Sequence, residues 1–212
     1  MTRSPRRRDD ERPDDAGFTL VELLVAMGLF SLLVALVMGV VVGMSRETIT
    51  ATNSADNAAG TRRAYTVLDR QVRSAEALNP ATNVAGRWYL EMRLGPTDAG
   101  GQASCVQWRL GTDGVLAYRT YPVSGTTGTS DWSTVVTDVV VPAATATPPL
   151  RMLPADQVYA KQRLDVLLTV QRGGTTRPAQ LDTSLVARNT TSSTVTNSLA
   201  TANQVCTQGG RP

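Results

Sequence analysis

The chain has no histidine among its 212 residues. That removes the commonest general base, the base of a serine-type triad and the commonest transition-metal ligand together. Cysteine is scarce: Cys105 and Cys206 are far apart and neither sits in a C-x-x-C pair, so neither a zinc site nor a thioredoxin-like redox pair is indicated. One disulfide or two free thiols remain. Net charge is only +3, from 21 basic and 18 acidic side chains, so nucleic acid is not demanded as a partner. No proline occurs between Pro13 and Pro80, so nothing in that interval forces a helix to break. From Phe18 to Ser45 charge itself is missing, apart from Glu22.

Those 28 residues, as a helix rising 1.5 Å per residue, span roughly 42 Å, more than the hydrocarbon core of about 30 Å. The segment is expected to cross a membrane once. A secretory signal peptide has a shorter apolar core, and the Arg6-Arg7-Arg8 cluster is too far from the apolar run for a twin-arginine signal. Arg3, Arg6, Arg7, Arg8 and Arg12 precede the run and only Arg46 follows closely, which keeps the N-terminus in the cytoplasm. Five acids balance those arginines, and the polar stretch Met1–Ala16 holds two prolines, so it reads as a disordered leader.

Beyond the run the helical period continues. Tyr65, Leu68, Val72 and Ala75 share one face, with Arg62, Asp69, Arg70 and Arg73 on other sides, and Gly60 only weakens the helix. The spacing predicts one helix in two halves, 18–45 in the membrane and 46–78 amphipathic, after a leader 1–17. From 79 to 212 the period becomes alternating. Trp88, Leu90, Met92 and Leu94 oppose Arg87, Glu91 and Arg93; Val106, Trp108 and Leu110 repeat the pattern, with Cys105 on the other side. Asp113-Gly114 reads as a hairpin turn into Val115–Tyr121. After a Pro-rich loop, Leu164 to Val170 and Leu181 to Ala187 alternate again around Gly173-Gly174, and the tail from Asn189 reads as irregular. The fold class is α+β: a long N-terminal helix whose second half packs on an antiparallel sheet.

Gly17-Phe18-Thr19-Leu20-Val21-Glu22-Leu23-Leu24-Val25-Ala26 resembles the cleavage and methylation motif of type IV prepilins and pseudopilins. The resemblance implies cleavage after Gly17, N-methylation of Phe18 and a pilin-like exported domain. It implies that Glu22 pairs with the Phe18 amine of an adjacent subunit. Thr19-x-x-Glu22 is also a capping box, which gives Glu22 a purely local role. Leu68 to Ala75 followed by strands resembles J- or W-type minor subunits of secretion pseudopili or type IV pili. The implied partners are other pilin or pseudopilin subunits, the prepilin peptidase/methylase, the inner-membrane assembly platform and membrane lipid. The chain would be anchored N-in in the cytoplasmic membrane, export its C-terminal domain and end in a cell-surface filament. It would be a substrate of the peptidase rather than an enzyme, with no cofactor. A membrane-anchored β-domain that binds a ligand or DNA as a monomer is the alternative. Gly39 and Gly43 form a small-xxx-small spacing for helix contact, and Asn189-Thr190-Thr191 matches a glycosylation sequon. An exported location favours pairing of Cys105 with Cys206, whose loop of about 100 residues is worth roughly 4–5 kcal/mol on the chain-entropy model.

Overall fold

A computed structural model describes residue 17 and residues 19–96, 101–125, 127–174 and 177–212. The leader 1–16 and Phe18 lie outside these described residues. The chain divides into two compact units, one ending at Thr48 and one comprising Ile49–Pro212. Helix α1, Leu20–Ser74, contributes to both.

In the first unit every described side chain of α1 is exposed, Leu20 at 74% and Phe30 at 67% among them. A helix that is apolar on all sides buries its surface in lipid or in other helices, and α1 is long and apolar enough to cross a membrane. Two of its hydroxyls are satisfied within the helix: Ser31 Oγ donates to the Met27 carbonyl and Thr48 Oγ1 to that of Met44, each at 2.8 Å.

In the second unit α1 buries Asn57, Ala64, Leu68, Gln71 and Val72, a stripe spaced by seven, four, three and one residues. Among the described residues nine strands follow. β1 (Ala75–Leu78), β2 (Thr82–Val84), β3 (Arg87–Leu94), β4 (Ser104–Leu110), β5 (Leu116–Pro122) and β6 (Ser133–Val136) form an antiparallel sheet of order β1-β3-β4-β5-β6, with β2 also pairing β3. β7 (Leu150–Leu153), β8 (Arg163–Val170) and β9 (Ala179–Val186) form a second antiparallel sheet in that order. Ala64, Leu68 and Val72 share one core with Leu90, Met92, Trp108 and Leu110 of the larger sheet and Leu164, Leu168 and Leu185 of the smaller. Each fully buried leucine there stabilises the fold by about 1.5–3 kcal/mol. Trp108 Nε1 donates to Gln71 Oε1 at 2.8 Å, so the one polar group of the stripe's C-terminal end meets the indole it covers.

The hairpin turn forms as expected: Val115 N–H donates to Asp113 Oδ1, and Gly114 takes φ +75°, where glycine is favoured. Three expectations are corrected. The helix ends at Ser74, not 78, because Ala75–Leu78 pairs with β3, although Ala, Glu and Leu are good helix formers. Tyr65 is 38% exposed; the buried stripe runs through Ala64 instead. Glu91, expected with Arg87 and Arg93 on the polar face of β3, is 0% exposed because the C-terminal segment covers that face.

Candidate functional site

At the head of α1, Gly17 is exposed and Thr19 sets the helix start. Leu23 N–H donates to the Thr19 carbonyl at 3.1 Å, and Glu22 N–H donates to Thr19 Oγ1 at 3.2 Å. The hydroxyl therefore performs the capping, satisfying one of the four orphan donors at a helix start. The Glu22 side chain is exposed and, among the described residues, its carboxylate has no hydrogen-bond or ion-pair partner. Phe18 lies outside the described residues. A Cβ built on Gly39 or Gly43 meets nothing within 4 Å, so this side of α1 is open to close approach by another helix.

The second arrangement centres on the cysteines. Cys105 and Cys206 are joined in a disulfide with Cα atoms 5.6 Å apart, at positions separated by 101 in sequence. Strand register explains what the bond anchors. Cys105 lies opposite Arg93 and Tyr121, and Gln107 opposite Glu91 and Arg119, so these side chains share the outer face of the larger sheet. From Val205 onward the chain runs over that face. Asn79 Nδ2 donates to the Val205 carbonyl at 2.6 Å while Val205 N–H donates back to Asn79 Oδ1 at 2.9 Å. Gln107 Nε2 donates to the Gly210 carbonyl at 2.7 Å, Arg119 donates to the Gly209 carbonyl, and Tyr89 Oη donates to the Pro212 carbonyl. Side chains thus replace a strand ladder in satisfying an irregular segment, as buried backbone requires.

Glu91 is the hub beneath this strap. It accepts from Arg211 through both carboxylate oxygens and from Gln107 Nε2 at 3.0 Å. Its charge stays in a buried site because it is paired and bonded on all sides. The Arg211 guanidinium is driven above its ordinary range chiefly by its hydrogen bond to Glu91. Tyr121, whose hydroxyl donates to the Cys206 carbonyl, is pushed up to about 12, first by burial and then by the Glu91 charge. The Glu91–Arg211 pair was invisible to alternation alone, which places Glu91 outward. The usable signal was that Glu91 and Cys105 fall on one face, so a tail tied at Cys105 must cross Glu91.

Among the described residues no group of three or more His, Cys, Asp or Glu is arranged to hold a metal ion. Asn189 of the sequon is exposed and donates through Nδ2 to the Ser74 carbonyl at 3.3 Å.

Residues 12–38 match the family model described as the prokaryotic N-terminal methylation motif. No curated protein and no solved structure matches the chain. The matched motif on a long apolar helix followed by antiparallel sheets marks a type IV pilin-like protein with a prepilin-type anchor, processed by a prepilin peptidase.

Proposed function

From the premise of a prepilin-type methylation motif on an anchoring helix, we propose that the chain is a structural minor subunit of a type IV pilus or a type II secretion pseudopilus. It is cut after Gly17, methylated at Phe18, held N-in in the cytoplasmic membrane and drawn into a filament through α1. It is not an enzyme; the peptidase acts on it.

The observation that carries this reading is the idle carboxylate of Glu22. Thr19 already caps the helix, and among the described residues nothing else engages the acid. An ionisable group within an apolar helix has a functional partner by default. Cleavage after Gly17 would create that partner, the cationic amine of Phe18. In sequence Phe18 stands two residues before Leu20; on the adjacent subunit its amine would pair with Glu22 and set the axial register, while lipid contact is exchanged for helix contact along Leu20–Thr48.

Mass spectrometry of the chain recovered from sheared surface material tests the proposal. A first residue Phe18 carrying one methyl group, in fractions that contain other subunits, is the expected result. An uncut N-terminus, or a mature chain found solely as a membrane monomer, favours the anchored ligand-binding domain instead.

A further inference from the structure

Strand β9 ends the smaller sheet on one side, and among the described residues it pairs with β8 alone. Its register with β8 is unbroken over all eight residues, from Ala179 opposite Val170 to Val186 opposite Arg163. The direction of its free backbone groups follows from neighbouring bonds. Leu167 N–H donates to the Pro149 carbonyl and the Thr169 carbonyl accepts from Val140, so odd residues of β8 face β7 and even residues face β9. Ala187 N–H donates to the Gln162 carbonyl, which continues the same alternation. Gln180, Asp182, Ser184 and Val186 therefore point their N–H and C=O groups away from the sheet. Natural edges are blunted by proline, lysine or a bulge, and β9 has none of these.

A groove of about 180 Å³ runs beside this edge, lined on the other side by Tyr65, Asp69 and Arg73 of α1 and by Arg188. One apolar position there is unfinished: Tyr65 lies next to the helix's buried stripe yet is 38% exposed. Beside Arg73 and Arg188, Asn189 bonds the Ser74 carbonyl.

We propose that β9 is a docking edge that takes an extended strand from a different pilin-type subunit, laid between β9 and the Tyr65 side of α1. The proposal rests on the subunit reading above. The free N–H and C=O groups on a two-residue repeat select extended backbone. The groove selects the side chains: an apolar residue over Tyr65, and a carboxylate for Arg188. Among the described residues Arg188 has no carboxylate partner, whereas Arg73 is paired with Asp69 at 2.7 Å. A second copy of β9 does not fit. Its single charge, Asp182, sits on the outer face, and its core-facing positions, Ala179, Leu181, Thr183 and Leu185, carry no acid.

The test places a photo-crosslinking amino acid at Asp182 of the full-length chain and irradiates intact cells. The expected adduct joins it to a different subunit that carries its own methylated N-terminus. Ser184→Pro removes an outward N–H and leaves the β8 ladder intact, so it keeps the fold and disulfide while the adduct falls about tenfold or more. Tyr65→Lys, an exposed position, reduces the adduct likewise and serves if the proline variant misfolds. No adduct, an adduct to a second copy of this chain, or an adduct indifferent to both substitutions overturns the proposal. The subunit reading fails separately, through the absence of a methylated Phe18 on the same preparation.

Discussion

Arg211 grips Glu91 with two parallel hydrogen bonds, Nε to Oε1 at 2.9 Å and a terminal nitrogen to Oε2 at 3.0 Å, beneath a strap that the Cys105–Cys206 bond pins only at its other end. The Glu91 side chain is 1% exposed and that of Arg211 24%, so the acid depends on this partner far more than the reverse. Removing one member of a buried pair typically costs 3–5 kcal/mol because the other is left uncompensated. Arg211→Ala is therefore expected to lower unfolding stability by about 3 kcal/mol, toward the low end because Arg211 retains water. Arg211→Lys recovers little, since a point charge cannot form the two-pronged contact. Denaturant unfolding with the disulfide intact measures both; an unchanged midpoint for Arg211→Ala would mean that the pair contributes nothing.

Breaking the covalent pin has a different signature. Cys206→Ser opens a loop of 101 residues, for which the chain-entropy model gives a loss of about 4–5 kcal/mol. The segment from Val205 keeps its contacts to Asn79, Gln107 and Glu91, so it frays rather than detaching. Limited proteolysis of the folded variant should cut the C-terminal segment first, at protease levels that leave the parent whole. Simultaneous loss of all strands would instead make the bond a requirement for the whole unit.

How far these features were legible depends on distance along the chain. The apolar run and the two long hairpins, β4–β5 and β8–β9, are local patterns, and alternation identified Leu90, Trp108, Leu164 and Leu168 as core. Ala75–Leu78 continues the helical period of Tyr65, Leu68 and Val72 with no proline before Pro80; it becomes strand through partners at Arg93 and Met92, which no local pattern reports. Alternation places Glu91 with Arg87 and Arg93 on the polar side of β3, and the cover over that side comes 120 residues later, from Arg211. β6 and β7, four residues each, are too short for periodicity to register. At the helix head Thr19 and Glu22 were legible as a capping box; that the hydroxyl does the capping, leaving the acid idle, required geometry.

Tyr121 predicts behaviour at high pH. Its folded pKa is raised from 10.0 to about 12, so the folded state holds the phenolic proton more tightly than the unfolded chain. That contribution is fully present below pH 10 and is lost as pH rises from 10 toward 12. Unfolding midpoints should fall over this window, and Tyr121→Phe, which has no proton to lose, should flatten the decline. A decline equally steep in Tyr121→Phe would assign the alkaline sensitivity to other groups.

Gly114 joins the two sheets at one point. Its carbonyl accepts from Val139 N–H at 3.0 Å, and Val139 bridges Val170 of β8. At φ +75° a Cβ would stand 2.8 Å from the Val139 carbonyl oxygen, which is backbone and cannot swing aside. Gly114→Ala should cost about 1–3 kcal/mol through the positive φ and the clash together, whereas Gly125→Ala, with nothing within 4 Å, should be near neutral. Thermal melts of the two variants give the comparison, and equal melts would remove Gly114 from the sheet junction.

Glu22→Val separates capping from assembly. Thr19 Oγ1 accepts the Glu22 backbone N–H, a bond that survives any side chain at that position. The substitution therefore leaves the helix start intact, and replacing a carboxylate by an apolar group removes a membrane-insertion cost of up to about 2.5–3.5 kcal/mol. Insertion and cleavage after Gly17 should proceed at least as well as in the parent. Assembly should not, because the cationic Phe18 amine of the adjacent subunit would enter the helix bundle without its anion, and a charge buried alone is strongly unfavourable. Glu22→Asp tests reach: it keeps the charge but shortens the arm, so its incorporation should fall between parent and valine variant. The measurement is the ratio of methylated mature chain in sheared filaments to that in membranes, taken for all three. If Glu22→Val matches the parent in that ratio, the carboxylate has no intersubunit partner.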